Sequence, residues 1–196
     1  MKGIVSIGVI LLIVLAFLGM GGCAYNGLVN KQEAVKSAWS QVENVYQRRS
    51  DLIPNLVNTV KGAANFEKET LTAVIQARAS ATQVKIDPTN LTAESMQKFE
   101  QAQTGVSSAL SRLLVSVERY PELKANQNFR DLQVQLEGTE NRITEERRKF
   151  NLVVQEYNGS VRSFPNNLMA GMFGFTEKAY FEAITPGAEK APEVSF

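Results

Sequence analysis

The sequence predicts an all-α protein, an antiparallel four-helix bundle whose long first helix is kinked and is preceded by an N-terminal membrane helix. Apolar residues recur at alternating steps of three and four through most of the chain, which is the spacing of one helix face. The last long helix keeps a strict spacing of seven, and no stretch alternates with period two for long enough to form a strand. Helices with seven-residue seams pack side by side, so a bundle is the expected architecture.

The first helix of the bundle carries the longest seam. Its core positions are Tyr25, Leu28, Gln32, Val35, Trp39, Val42, Tyr46, Arg49, Ile53, Leu56, Val60 and Ala63. Pro54 has no N–H to donate, and its ring crowds the preceding turn. Because the seam keeps its phase on both sides of Pro54, we predict one helix that continues through the proline with a kink. The alternative is a second helix that restarts there, with Ser50 or Asp51 as its cap.

Three further helices complete the predicted bundle. The second follows a turn near Gly62, and its buried face contains Leu71, Val74, Arg78 and Ala81. A loop at residues 87–90 separates it from the third helix, because the residue before a proline is pushed out of the helical region. The third helix begins at Thr92 and ends at Pro121. The fourth has its seam at Phe129, Leu136, Ile143, Phe150, Tyr157 and Phe164.

The chain divides into four parts on this interpretation. Residues 1–24 are the membrane anchor and residues 25–165 the helical bundle. Residues 166–183, which are rich in Phe and Met, are expected to cross the bundle as a strap. Residues 184–196 combine proline, glycine and charge, which is typical of a disordered tail.

The N-terminal segment predicts attachment to a membrane. Residues 3–24 carry no charge and are dominated by aliphatic side chains, enough to span a bilayer as a helix. We therefore expect a single-pass protein of the cell membrane with most of its chain outside the cytoplasm. Alternatively, Gly21 and Gly22 before Cys23 resemble the end of a bacterial lipoprotein signal, whose removal would make Cys23 a lipid attachment site.

Composition excludes several functional classes. Lysine and arginine number 21 against 20 acidic residues, and this balance argues against a nucleic-acid partner. There is no histidine and only one cysteine, so the commonest metal ligands and general bases are missing. We predict neither a cofactor nor a metal, and no enzymatic activity.

Arg49 is the one charged residue of the long seam, and it needs a partner. A buried unpaired charge is too costly to persist, so Arg49 must reach solvent or meet a carboxylate, for which Asp51, Glu140 and Glu145 are candidates. The structural interpretation is a polar layer that sets the register of the helices. The functional interpretation is a docking patch for a protein partner, formed by Arg48, Arg49, Asp51 and Lys61.

Several short segments together resemble the LemA family of bacterial membrane proteins. They are AWSQV from Ala38, YQRRSDLIPNLVNTVKG from Tyr46, YPELKA from Tyr120, LEGTENRI from Leu136 and FPNN from Phe164. The resemblance covers about residues 25 to 183 and implies a membrane anchor followed by a helical bundle, with no catalytic residues to transfer. The chain departs from the family pattern at residues 63–66.

Two functional classes remain open. The leading expectation is an anchored scaffold, interaction or sensing protein of the bacterial cell envelope that binds an unidentified protein or a second copy of itself. The alternative is a protein that holds a lipid or another apolar ligand between its helices.

Overall fold

The computed structural model describes residues 2–62 and 66–182, with side chains from Gly21 onward, and all of its regular structure is helical. This confirms the all-α prediction for the described residues. The helices are α1 (Lys2–Lys61), α2 (Lys68–Gln83), α3 (Ala93–Val117), α4 (Pro121–Ala125), α5 (Gln127–Arg162) and α6 (Asn166–Phe173). The predicted tail at 184–196 and part of the turn after Gly62 lie outside the described residues.

Helix α1 runs without interruption through Pro54 for 60 residues. Continuation through the proline is therefore confirmed, and the alternative of a restart at Ser50 or Asp51 is wrong. The predicted seam is buried from Leu28 to Val60 except at Gln32, which is half-buried. Tyr25 is the other exception, because it lies near the end of the helical body and remains partly exposed.

Local hydrogen bonds explain where α3 and α5 begin. The Thr92 hydroxyl accepts from the Ser95 backbone N–H, and the Ser95 side chain accepts from the Thr92 N–H, which forms a capping box. The Asn126 side chain accepts from the Phe129 N–H at the start of α5. The prediction for Pro121 is wrong, since α3 already ends at Val117 and Pro121 opens the short helix α4, where a missing N–H costs nothing.

The prediction for Phe164 is also wrong. Its spacing continues the seam of α5, but the helix ends at Arg162 and the Phe164 side chain is 79% exposed. The cause is Pro165, since the residue before a proline is disfavoured in helical geometry. The remaining five seam residues of α5 are buried as predicted.

Pairs of side chains give the directions of the long helices. Lys31 lies 3.7 Å from Glu156, and Arg49 lies 2.8 Å from Glu140, so α1 and α5 run antiparallel. Arg119, just after α3, contacts Glu67, just before α2, at 2.6 Å. Helices α2 and α3 are therefore antiparallel as well.

Two hydrophobic clusters form the core. The first, called here the aromatic cluster, is centred on Trp39, Tyr46, Phe99, Phe150 and Phe181. The second is mainly aliphatic and includes Ile53, Leu56, Val60, Val74, Leu110, Leu113 and Leu136. The residues of the candidate functional site lie between these two clusters and along the aromatic cluster.

The chain after α5 folds back onto the helices. Gly174 caps α6 with φ 75°, a left-handed conformation that glycine adopts without steric cost. Residues 174–182 then run without regular secondary structure along α5, and we call them the clamped segment.

Across the side chains that the structure describes, which begin at Gly21, no helix combines the length and apolarity needed to cross a membrane. The apolar residues on which the predicted anchor rests lie mostly before that point, so the anchor stays a prediction.

Candidate functional site

Arg49 is the centre of a polar layer that crosses the core. Only 2% of its surface is exposed, and its guanidinium donates to Glu140 Oε1 at 2.8 Å and Ser107 Oγ at 2.9 Å. It also donates to the side chain and backbone oxygens of Gln103. The prediction that Arg49 meets a carboxylate is confirmed, and the partner is Glu140. The other two candidates are engaged locally, Asp51 with Gln47 and Glu145 with Arg148.

The layer separates the two hydrophobic clusters at the same level in three helices. Arg49 lies between Tyr46 and Ile53 in α1, and Glu140 lies between Leu136 and Ile143 in α5. Hydrogen bonds of an arginine fork require fixed positions of its partners. A shift of one helix by a single turn would leave the Arg49 guanidinium buried without its acceptors, so we expect this layer to set the helix register.

Pro54 creates a second polar link one turn further along α1. In an unbroken helix the carbonyl of Ser50 would accept from the N–H of residue 54, and proline has none. Arg78 of α2 donates its Nε–H to this carbonyl at 2.8 Å. Because of the proline, the Ser50 carbonyl is free to accept the hydrogen bond that holds α2 against α1. The adjacent residue, Arg49, is hydrogen-bonded to α3 and α5.

This link gives a testable coupling. We expect Arg78→Met to lower the free energy of unfolding by about 1–2 kcal/mol, because it leaves the Ser50 carbonyl without a donor. In a Pro54→Ala background the new N–H satisfies the carbonyl, so the same change should cost about 1 kcal/mol less. Thermal unfolding of the four proteins of the cycle measures the coupling, with the exposed Arg112→Met as control. Equal costs in both backgrounds would contradict the role assigned to Pro54.

A cavity of about 380 Å³ adjoins the polar layer between α1, α2 and α3. Its charged and aromatic lining consists of Glu43, Tyr46, Arg49, Arg78, Lys85 and Phe99. Glu140 already neutralises Arg49, so the remaining charges at the cavity are the cations Arg78 and Lys85 and the carboxylate Glu43. Ser50 also lines the cavity, and its hydroxyl is buried with no hydrogen-bond partner among the described residues.

The clamped segment is held by its backbone. Asn158 donates to the Lys178 carbonyl and accepts from the Lys178 N–H, both at 2.8 Å. Asn151 makes the same pair of bonds with Phe181 at 2.9 Å. The two asparagines are seven residues apart on α5. The two residues to which they hydrogen-bond, Lys178 and Phe181, are three residues apart in the clamped segment. These bonds satisfy the backbone N–H and C=O groups of Lys178 and Phe181, which lie outside any helix or strand.

Side-chain contacts of Phe181 also hold the clamped segment against the helices. The Phe181 ring stacks on Trp39 with centroids 5.9 Å apart and meets the Phe150 ring at 5.3 Å. The Arg147 guanidinium lies over the Phe181 ring, 4.5 Å from its centroid, and pairs with Glu100 at 2.7 Å. Burial raises the pKa of the Glu100 carboxyl, and the Arg147 charge opposes this shift.

Lys178 is the buried cation of the clamped segment. Its ammonium donates to the carbonyl of Thr89 in the loop after α2. Burial lowers the pKa of this ammonium, and the nearby Asp87 carboxylate opposes the shift. The segment is thereby tied to the loop before α3 as well as to α5.

The predicted docking residues do not share one surface. Arg48, Asp51 and Lys61 are exposed on α1, but Arg49 points into the core and is not available to a partner. Docking by the three exposed residues stays a prediction. Cys23 is exposed, and its lipidation is likewise a prediction.

Sequence reasoning missed the two asparagine clamps. It placed Tyr157 in the buried seam of the fourth helix but did not predict that the neighbouring Asn158 is buried as well. The signal that was present is a seven-residue repeat in which Asn151 and Asn158 each follow a large aromatic seam residue. It also missed the bond from Arg78 to Ser50, although the free carbonyl follows from Pro54 alone.

Comparisons with known proteins identify the family. The profile of the LemA family matches residues 38–196. Protein LemA of Metamycoplasma hominis is 23% identical over 158 residues, which cover 81% of this chain and 68% of that protein. Magnetosome protein MamQ 2 of Paramagnetospirillum magneticum is 26% identical, with 86% of this chain and 68% of the relative covered.

Magnetosome protein MamQ of Magnetospirillum gryphiswaldense is similar to the same degree, at 26% identity over 80% of this chain and 64% of its own length. These matches include the Arg49 layer, the Pro54 link and the clamped segment within the region of the family profile. The resemblance found in the short segments is thus confirmed, and the chain belongs to the LemA family.

Proposed function

We propose that this protein is a membrane-anchored scaffold or interaction protein of the bacterial cell envelope, built as an antiparallel four-helix bundle of α1, α2, α3 and α5. The observation that carries the proposal is the continuity of α1, which joins the apolar residues 3–24 to the core seam in one helix of 60 residues. At 1.5 Å per residue this helix is about 90 Å long, of which roughly 30 Å would suffice to cross the hydrocarbon core.

A continuous helix transmits position and tilt from the membrane to the bundle. A flexible linker would let the bundle reorient freely, whereas a continuous helix that is packed against α5 from Lys31 to Arg49 does not. This arrangement suits a protein that presents a fixed surface to partners, including the exposed Arg48, Asp51 and Lys61 on α1. An uncleaved signal anchor would place the bundle outside the cytoplasm.

Fractionation combined with intact-mass measurement tests this proposal. We expect the protein in the membrane fraction with the mass of the full chain. A mass that lacks the first 22 residues and carries acyl chains would replace the spanning helix by a lipid on Cys23 and keep the membrane anchor. Recovery of the unmodified chain in the aqueous fraction would overturn the anchor altogether.

A second candidate function is ligand binding, and the cavity beside Arg49 favours it. Its volume of about 380 Å³ lies near the lower limit for small-molecule sites, so a two-chain lipid does not fit. A small anion with an apolar body would match the excess of cations and the aromatic walls. Native mass spectrometry of gently extracted protein tests this, with Thr82→Trp, at the cavity mouth, as the filled control. A small molecule that is bound by the native protein and lost in Thr82→Trp supports the site, and its absence from both opposes it.

A further inference from the structure

One end of the helical body carries no charge on its surface segments. Residues 21–30 of α1 contain no charged side chain, and neither do residues 163–176, which include α6. The nearest charges along the chain are Lys31, Arg162 and Glu177. We call these two uncharged stretches the apolar cap.

The apolar cap carries five of the ten large hydrophobic side chains that are exposed in the described part of the chain. Phe164 is 79% exposed, Met172 73% and Phe173 56%, and Leu168 is close to half exposed. Elsewhere, exposed residues such as Val115 and Val134 lie singly on long polar helices. A contiguous apolar patch of this kind marks a surface that is covered in the functional protein.

Helix α6 is held so that this face points outward. Ala170 is buried against the body, and Met169 packs on the aromatic cluster, whereas Leu168 and Met172 lie four residues apart on the opposite face. The Tyr25 ring contacts the Phe173 ring at 4.8 Å and the Phe175 ring at 5.8 Å. The exposure of Leu168 and Met172 is therefore a consequence of fixed packing.

The patch lies where α1 leaves the body toward its apolar N-terminal segment. A Cβ placed on Gly21 would lie 3.5 Å from the Met169 sulfur, so α6 is beside this point of α1. Cys23 is exposed in the same turn. A retained membrane helix and a lipid on Cys23 would both bring the bilayer to this end of the molecule.

We propose that the apolar cap lies in the interfacial region of the bilayer, with α6 as a second membrane contact. We infer lipid as the occupant because the patch adjoins the predicted anchor, lacks charge and presents Leu168 and Met172 four residues apart on one face of α6. Short amphipathic helices bury such a face at the boundary of headgroups and acyl chains. The body is then held against the membrane surface at two points instead of one. This inference rests on the proposed membrane anchor.

Photo-crosslinking in full-length protein tests the contact. The protein, with its natural Cys23, is reconstituted into phosphatidylcholine vesicles in which phosphatidylglycerol makes up about a quarter of the lipid. Benzoylphenylalanine replaces Met172 or Phe164 in the cap, Val134 as an exposed apolar control on α5, or Val14 in the predicted anchor. Mass spectrometry then counts adducts that carry one phospholipid.

We expect lipid adducts at Met172 and Phe164 in about tenfold excess over Val134, because only side chains at the interface reach acyl chains. Adducts at Val14 but none at Met172 and Phe164 would overturn the inference while leaving the anchor intact. The absence of lipid adducts at Met172, Phe164 and Val14 would overturn both the lipid contact and the membrane anchor. A product of twice the chain mass from Met172 would show that a second copy covers the cap, which also overturns the lipid contact.

Discussion

Replacing Glu140 by alanine is expected to lower the free energy of unfolding by about 3–5 kcal/mol, more than replacing Arg49 by methionine. Arg49 is 2% exposed, so without Glu140 its charge stays buried with only the neutral acceptors of Gln103 and Ser107. The side chain of Glu140 is 43% exposed, so it can turn to water when Arg49 is removed. Removal of Glu140 therefore leaves a buried unpaired charge, whereas removal of Arg49 leaves a carboxylate that water can solvate.

The comparison that tests this asymmetry is Glu140→Ala against Arg49→Met. Methionine fills part of the space of Arg49 and buries no charge, so we expect a loss of only about 1–2 kcal/mol. For a chain of this size, 3–5 kcal/mol corresponds to a fall of roughly 10 °C in the melting temperature. Thermal unfolding of the full-length protein in detergent, followed by circular dichroism, measures both.

Arg48→Ala is the matched control, since Arg48 is the exposed neighbour of Arg49 on the same helix. An exposed substitution of this kind should stay within about 0.5 kcal/mol of the native protein. A larger loss for Arg49→Met than for Glu140→Ala would contradict the account. In that case the stabilising contribution of Arg49 would come from its packing and hydrogen bonds instead of from the avoided burial of an unpaired charge.

Replacing Phe181 by alanine is expected to release the clamped segment. The substitution removes the ring that stacks on Trp39 and supports Arg147, at a cost of about 3–5 kcal/mol for a buried phenylalanine. Because residues 174–182 follow the last helix, this loss should appear as local opening before global unfolding. The peptide bond after Lys178, whose side chain is buried in the native protein, then becomes accessible to trypsin.

Limited trypsin digestion measures the effect. Cleavage after Lys178 should become at least about a hundredfold faster in Phe181→Ala, because cleavage of a transiently opened segment follows the population of the open form. Tyr180→Ala is the control, since Tyr180 is the partly exposed neighbour in the same segment. If both variants were cut at the same rate, the aromatic contact would not be what holds the segment.

The long helices and most of their buried faces follow from the sequence alone. Periodicity is a local property, so the positions of Trp39, Tyr46 and Ile53 identify the core face of α1 without knowledge of any partner. The same reasoning extended the α5 seam by one residue too many, to Phe164. The spacing there was right, but the backbone restriction imposed by Pro165 outweighed it.

The candidate site was predicted less completely. The need of Arg49 for a carboxylate follows from the cost of burying its charge, and Glu140 was one of three candidates. The choice among them depends on which helix lies opposite, a contact between residues 91 positions apart. Of the four residues predicted to form a docking patch, Arg49 is buried, because sequence neighbours in a helix point in different directions.

The sequence by itself determined the helical class, the continuous first helix, the apolar N-terminal segment and the LemA family, because each is carried by residues close together in the chain. Only the tertiary structure decided the partner of Arg49, the bond from Arg78 to the carbonyl freed by Pro54, and the grip of Asn151 and Asn158 on the clamped segment. The physical reason is that hydrogen bonds and ion pairs act within about 3 Å between groups far apart in the chain. Their geometry exists only once the helices have packed.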